Sequence, residues 1–410
     1  MAGVNENSGS LKQELMPMVK AKKRKSIPKF LNASSIFVRT KTDLFWFKNV
    51  ADLNQLPCVN LKDEFKAAVI SLKEDDPSFE PLALEIFRYQ AEQNPIYKAF
   101  LKNLGIDPLK VSHLEKIPCL PISFFKNHKV VSGQIEVQHI FESSGTTGSQ
   151  NARHYISDLP FYEFLSLKSF EKIYGSVTDY HILALLPNYL ERDSSSLVYM
   201  VKGFIYNSFS TDSGFYLDEI GELLYRLKSL LQNTSRKVLL MGVTFALLDL
   251  AERDFNLEFL RKYEDRLVIM ETGGMKGQRK ELLREEVHDI LSKTFFTDKI
   301  HSEYGMTELL SQAYSTGDGW FQASPSMKVL LREINDPFTY LPSFSLGTTK
   351  ANSKSYGKTG GINVIDLANI DSCCFLETQD LGSFSEDYSK FKVLGRFDNS
   401  DVRGCNLMVM

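Results

Sequence analysis

Apolar positions recur at helical spacing from Leu61 to Leu104. Phe65, Val69, Ile70 and Leu72 mark one segment, and Leu82, Leu84, Ile86, Phe87, Tyr97, Phe100 and Leu101 the next. The pattern predicts a helical preamble. Ile117-Pro118-Cys119-Leu120-Pro121-Ile122 has two prolines and reads as an extended connector, because proline breaks a helix interior and biases the residue before it away from α. The connector leads to a short apolar segment, Gln138 to Phe141, and then to Ser143-Ser144-Gly145-Thr146-Thr147-Gly148-Ser149.

Beyond that run, two periods alternate. Asp158 to Tyr174 is helical in pattern, with Asp158 as N-cap and Gly175 as stop. His181 to Leu186 is apolar and ends at Pro187. Leu217 to Leu231 is an amphipathic helix, Val238 to Val243 a buried-type strand, Phe245 to Arg253 a helix and Arg266 to Met270 a strand. A helix from Lys280 to Lys293 and a short strand at Lys299 to Ser302 follow. Such alternation argues for a layered α/β fold with a largely parallel sheet, whose ligands sit beyond the carboxyl ends of the strands. From Gly357 onward the character changes. Gly360 to Leu367, Ser372 to Glu377 and Phe391 to Gly395 read as strands separated by Asn, Asp, Ser and Gly turns. The expected organisation is therefore a tail over 1–33, a helical preamble of the core over 34–135, an α/β core over 136–350 and a small β-rich lobe over 351–410.

Composition narrows the function classes. A formal charge of −3 gives no nucleic-acid footprint. Lys20, Lys22, Lys23, Arg24, Lys25 and Lys29 form a basic arm near the N-terminus, which reads either as a solvated tail or as a contact for anionic lipid or nucleic acid. Cys58, Cys119, Cys373, Cys374 and Cys405 are an odd set without CxxC spacing, so neither a disulfide framework nor a zinc site is indicated and a reducing cytoplasm is expected. No apolar run approaches the ~18 residues of a membrane span. The histidines show no zinc-protease spacing, and GxSxG is missing, which disfavours a serine hydrolase.

Candidate chemistry gathers in three loops. Ser143 to Gly148 can offer backbone N–H groups and hydroxyls to a polyphosphate, although no lysine follows as a Walker loop requires. Glu271-Thr272-Gly273-Gly274-Met275-Lys276-Gly277 contains a glycine pair fit to flank a planar base. Ser302-Glu303-Tyr304-Gly305-Met306-Thr307-Glu308 adds an aromatic, a hydroxyl and a carboxylate. Glu308 is a hard oxygen ligand suited to Mg²⁺, Thr307 can bond an α-phosphate oxygen and Tyr304 can stack on adenine. Each residue also has a plainer reading: Tyr304 as core, Glu308 as a charge at a helix N-terminus, Gly273-Gly274 as a turn. Tyr199, Phe204, Tyr206 and Phe209 could line an acyl pocket or fill the core.

These loops, with Thr378-Gln379-Asp380 and Gly395-Arg396-Phe397-Asp398, stand in the order of the core motifs of the acyl-adenylate-forming superfamily, which the chain resembles. The closer resemblance is to the acyl-protein synthetases of the bacterial bioluminescence fatty-acid reductase system. It is carried by Leu186-Pro187-Asn188-Tyr189-Leu190-Glu191-Arg192 with Ser194 to Met200, METGGMKG and a terminal GRFDNSDVRGC, over roughly residues 40 to 410. The resemblance implies ATP and Mg²⁺ as cofactors and attack of a fatty or other carboxylic acid on the α-phosphorus. It implies that Ser144 to Gly148 hold the β- and γ-phosphates and that Gly273, Gly274 and Tyr304 surround adenine. Thr307 would meet the α-phosphate, Glu308 the metal, and Asp380 the ribose hydroxyls, with Arg396 donating nearby. An acyl-acceptor protein, a reductase or carrier, is the implied partner.

Two departures shape the expectation. Ser149-Gln150-Asn151-Ala152-Arg153-His154 stands where relatives continue to Pro-Lys. The chain also ends soon after Asp398, so the mobile lobe that brings a catalytic lysine in most relatives is expected to be absent. Lys276, Arg279 and Arg153, or His154, would then supply positive charge, or a partner subunit would. Cys405, between Gly404 and Asn406 and close to Arg403, suits an acyl carrier, since a thiolate discharges an adenylate readily. Its alternative is a small hydrophobe in a final strand. Cys373 and Cys374 read as packing.

Overall fold

The structure, a computed structural model, describes residues 36–39, 44–47, 60–143, 150–186, 194–217, 219–273, 282–341 and 358–397. The first described elements are two antiparallel strands, β1 (Ile36–Arg39) and β2 (Leu44–Phe47). The helical preamble follows as α1 (Leu61–Ser71), α2 (Phe79–Gln93) and α3 (Pro95–Asn103). Asn94 ends α2 and caps α3, accepting from the N–H groups of Ile96 and Tyr97, with Pro95 in the first turn where its missing N–H costs nothing. The Pro118–Pro121 connector is extended as its prolines require. It contributes β3 (Leu120–Pro121) before a single turn, α4 (Phe124–Asn127).

Next comes the hairpin β4 (His139–Glu142) and β5 (Arg153–Ile156), then α5 (Leu159–Tyr174), which Asp158 caps at Phe161 N–H and Gly175 ends at φ +80°. The alternating region runs β6 (Tyr180–Leu185), α6 (Ser196–Asn207), β7 (Gly214–Phe215), α7 (Ile220–Asn233), β8 (Lys237–Val243), α8 (Thr244–Ala251), β9 (Leu267–Thr272), α9 (Arg284–Phe295) and β10 (Ile300–Tyr304). Three short strands complete the middle of the chain: β11 (Ala313–Ser315), β12 (Phe321–Ala323) and β13 (Met327–Arg332). The last three are β14 (Gly360–Asp366), β15 (Phe375–Phe384) and β16 (Phe391–Arg396).

Twelve of the described strands make one sheet, ordered β13-β14-β15-β16-β12-β11-β10-β9-β8-β6-β7, with β3 parallel to β15. The half from β7 to β10 is parallel and the half from β11 to β13 antiparallel. In the parallel half β6 is buried throughout and β8 from Val238 on, because helices cover both faces and no polar alternation is needed. This is the α/β class expected, with a large, mostly parallel region followed by a β-rich one. The β-rich strands continue the same sheet through the Phe321–Phe391 pairing of β12 with β16.

Several boundaries move. Ser372 to Cys374 form a turn rather than a strand, although both cysteines are fully buried as packing residues. Thr378-Gln379-Asp380 lies inside β15 rather than after a strand, because β15 runs on to Phe384 to pair with β16. The helix expected from Leu217 begins at Ile220 and buries Leu223, Leu227, Leu230 and Leu231 on one stripe.

The preamble is bonded to the C-terminal strands. The buried Gln90 amide donates to the carbonyls of Asn369, Ile370 and Ser372, and its Oε1 accepts from Cys374 N–H at 2.9 Å. On α1, Lys66 pairs with Asp371 at 3.1 Å and with Asp158 at 3.0 Å. A single apolar core runs from Phe65 to Phe391.

Candidate active site

Register in the parallel half brings the sequence motifs together. Val243 of β8 pairs with Thr272 of β9, which pairs with Glu303 of β10, so the loops after these strands leave the sheet side by side. The buried Thr272 hydroxyl donates to Glu303 Oε2, tying the glycine loop to the tyrosine loop. Gly273 takes φ +77°, a left-handed conformation that favours glycine. At Gly305 a Cβ would stand 2.4 Å from Glu303 Oε1, so a larger residue here would require that carboxylate to shift.

Tyr304, Asp380 and Arg396 form one connected group. Asp380 and Arg396 face each other on β15 and β16, and Arg396 Nε donates to Asp380 Oδ1 at 3.2 Å. The Tyr304 hydroxyl donates to Asp380 Oδ2 at 2.8 Å. The Tyr304 ring lies edge-on to Phe321 and Phe391, with centroids 5.9 and 5.7 Å away, and the residue is 7% exposed. Tyr304 is thus a core residue whose hydroxyl reaches out of the core to Asp380. Burial, then the Asp380 charge and its hydrogen bond, push the phenol well above its ordinary pKa and keep it a donor.

Thr307 and Glu308 lie in a turn after β10. No helix starts there, so the reading of Glu308 as a helix N-terminal charge is set aside. Glu308 is 7% exposed, and among the described residues no cation comes within ion-pair distance of it. Burial raises its pKa, and the more distant Arg396 and Lys126 only partly oppose this. Among the described residues no three His, Cys, Asp or Glu side chains are grouped to hold a metal. A cation here would take Glu308 as a single protein ligand and complete its shell with phosphate oxygens and water, the usual arrangement for Mg²⁺ beside a nucleotide.

The strands on either side of the expected phosphate loop pair with each other. Glu142 faces Arg153 across β4 and β5, and their side chains pair at 3.0 Å. Ser143 uses its backbone at the base of that loop: its N–H donates to Ala152 O, and its Oγ accepts from Ala152 N–H at 2.9 Å. Ser144, Gly145, Thr146, Thr147 and Gly148 lie outside the described residues, as do Gly274, Lys276, Arg279, the Pro187–Arg192 motif, Cys58 and Cys405.

His154 is not the cation that its sequence position suggested. It is 1% exposed, and burial draws its pKa down to about 4. Its neutral ring contacts the Thr307 carbonyl through Nδ1 at 2.8 Å, a position that requires the N–H tautomer. The hairpin is thereby fastened to the tyrosine loop.

Of the aromatics considered for a pocket, Phe204 is core while Tyr206 and Phe209 are 77% and 79% exposed. Sequence reasoning missed Glu271. This buried carboxylate accepts from Thr244 Oγ1 at 2.8 Å and faces Arg284 and His288 at 3.6 Å. Burial opposes its charge, but the nearby His288 and Arg284, with the Thr244 hydroxyl, prevail and hold its carboxyl down to about 2. An acidic residue at the end of an apolar strand was the available signal. Among the described residues no helix is long and apolar enough to cross a membrane.

The ends of the parallel strands carry Gly273, the buried Tyr304–Asp380 pair and the buried Glu308, the place where sheets of this class take their ligands. The family model described as "Acyl-protein synthetase, LuxE" matches residues 63–410, and the chain belongs to that family. It is 23% identical over 360 residues to the long-chain-fatty-acid–luciferin-component ligase of Vibrio harveyi, covering 82% of this chain and 88% of that one. Solved structures similar to it include O-succinylbenzoate coenzyme A synthetase of Bacillus subtilis in complex with AMP, at 17% identity and a TM-score of 0.41 over 64% of this chain. McyG A-PCP complexed with phenylalanyl-adenylate is similar at 13% identity and a TM-score of 0.44 over 73% of this chain. The matches span 50% and 47% of those two structures' own lengths.

Proposed function

We propose that this chain, acting in the cytoplasm, activates a long-chain fatty acid with ATP and transfers the acyl group to Cys405, from which a partner reductase or carrier receives it. The observation that carries the reading is the convergence of Tyr304, Asp380, Thr307 and Glu308 at the carboxyl end of the parallel strands, in a chain of the acyl-protein synthetase family. The named activity of the Vibrio harveyi relative supports a long-chain acid as substrate.

Asp380, held by Tyr304 and Arg396, accepts from the ribose hydroxyls. Gly273 and Gly274 flank the adenine, and Ser144 to Gly148 cradle the terminal phosphates. Thr307 meets the α-phosphate. Glu308 holds Mg²⁺, which neutralises phosphate charge when bound. A carboxylate oxygen of the acid attacks the α-phosphorus, the bond to the oxygen bridging to the β-phosphate breaks, and pyrophosphate leaves with the electron pair. Positioning and charge neutralisation dominate such a step, so no nucleophilic side chain is needed for it. Arg153, exposed at the base of the phosphate loop, and Lys276 are the candidates for added positive charge.

The second step needs a thiolate. Cys119, Cys373 and Cys374 are buried, and burial pushes their thiols up, that of Cys119 to about 12, so they remain protonated. Cys405 Sγ attacks the acyl carbon, AMP departs with the bridging oxygen, and the thiol proton passes to solvent. Incubation with ATP, Mg²⁺ and a long-chain fatty acid is expected to leave a hydroxylamine-labile acyl mass on the Cys405 peptide. Cys405→Ser is expected to keep ATP–pyrophosphate exchange and lose the label. Label on Cys58 or Cys119, or product found only as acyl-CoA, would overturn the transfer step.

A further inference from the structure

The turn that carries Thr307 and Glu308 has little regular structure of its own; Leu309 N–H to Met306 O is its internal backbone bond. Its support comes from β14 and the turn after it. Asp366, fully buried at the end of β14, accepts from Leu310 N–H at 2.7 Å and Ser311 N–H at 3.0 Å through Oδ2. Its Oδ1 accepts from Ser311 Oγ at 2.6 Å and Ala368 N–H at 3.1 Å. Asn369 Nδ2 donates to the Glu308 carbonyl at 2.8 Å and reaches Asp366 Oδ2 at 3.4 Å. From the other side His154 holds the Thr307 carbonyl.

We infer that Asp366 and Asn369 are positioning residues for adenylation, a clasp that sets the Thr307–Glu308 turn against the phosphate hairpin through main-chain hydrogen bonds. The inference rests on the roles proposed above for Thr307 and Glu308. The four main-chain and hydroxyl donors gathered on this one acid fix the turn in one conformation. Asn369 is the directed element of the clasp, because its amide grips the carbonyl of the residue whose carboxylate serves the site. A reacting group displaced by about 1 Å can cost roughly a hundredfold in rate.

The experiment compares Asn369→Ala with Asn94→Ala in the full chain. Asn94 is equally buried and bonds Ser372 O at 3.0 Å, but stands outside the proposed site. ATP–pyrophosphate exchange is measured against Mg²⁺ and ATP, and amide hydrogen exchange is followed over residues 306–312. Asn369→Ala is expected to raise amide exchange in that segment, lower kcat by roughly tenfold to a hundredfold and raise the Mg²⁺ half-saturation. Asn94→Ala is expected to lose thermal stability and retain both kinetic values. Unchanged amide exchange over 306–312 in Asn369→Ala overturns the clasp, and raised amide exchange with unchanged kcat and Mg²⁺ dependence overturns its positioning role. A wild-type chain that catalyses no exchange with any carboxylic acid overturns the proposed function, and with it the clasp's catalytic role, while the amide measurement still decides whether Asn369 holds the turn.

Discussion

Replacing Tyr304 by Phe removes one oxygen and leaves the ring on Phe321 and Phe391, so the change tests one hydrogen bond without opening a cavity. That bond, 2.8 Å to Asp380 Oδ2, has a charged acceptor and lies in the interior, and such bonds contribute about 1.5–3 kcal/mol. Arg396 does not compensate. Its side chain is 68% exposed, so solvent screens its charge and its bond to Asp380 does not replace the lost one. The expected loss is therefore ~2 kcal/mol. With ~2.1 cal/mol/K of unfolding entropy per residue over 410 residues, that lowers Tm by ~2 °C. The released carboxylate also presents itself less well to ribose, so the KM for ATP is expected to rise by about three- to tenfold with kcat nearly constant, the signature of lost ground-state binding. Asp380→Ala is expected to raise KM further. The double variant should fall short of the sum, because both changes break the same bond. Thermal melts and ATP–pyrophosphate exchange read both effects. A Tyr304→Phe chain with unchanged Tm and unchanged KM would refute the claim that this bond organises Asp380.

Three further outcomes are expected. Glu308→Gln should reduce exchange by at least about a hundredfold while thermal melting shows no loss of stability, because burial already disfavours the charge that the amide removes. His154 titrates near pH 4 when folded and near 6.5 when unfolded, so the unfolded chain takes the proton first. Stability should then fall by about 3 kcal/mol as pH drops from 6.5 to 4, and His154→Gln, measured by melts across that range, should flatten part of the fall. Asp371 behaves as an acid whose burial is outweighed by the charges of Lys66 and Lys62, so its folded pKa lies below its unfolded value. The stability it contributes is complete above the unfolded carboxyl pKa and lost as pH falls through the folded one. Asp371→Asn should melt earlier at neutral pH and show less acid sensitivity; equal pH profiles for the two chains would contradict the assignment.

Much of the molecule is legible in local patterns. The helix from Asp158 to Gly175 follows from a capping carboxylate, apolar spacing and a glycine stop, all within one stretch of chain, and the run of buried strands at Val238 and Leu267 follows from apolar continuity. The ordered glycine, tyrosine and acid motifs sufficed to point to the family. Tertiary structure decided what depends on distant partners. The strands β11 to β13 carry short patterns that take their shape from neighbours in the sheet, and β15 outruns its apolar segment because β16 pairs with its polar end. Whether His154 is a cation or a neutral donor depends on its burial under the Thr307 carbonyl, 153 positions along the chain. Tyr304 could have stacked on a ligand or packed in the core; the meeting of β10, β12, β15 and β16 packs its ring and turns its hydroxyl to Asp380. Asp366 and Asn369 look like ordinary turn residues until the fold brings the Glu308 turn to them. Local propensity is set by covalent neighbours and so can be read along the chain, whereas charge state, hydrogen-bond partners and the division of a side chain between core and site are set by desolvation and contacts that exist only once the sheet has formed.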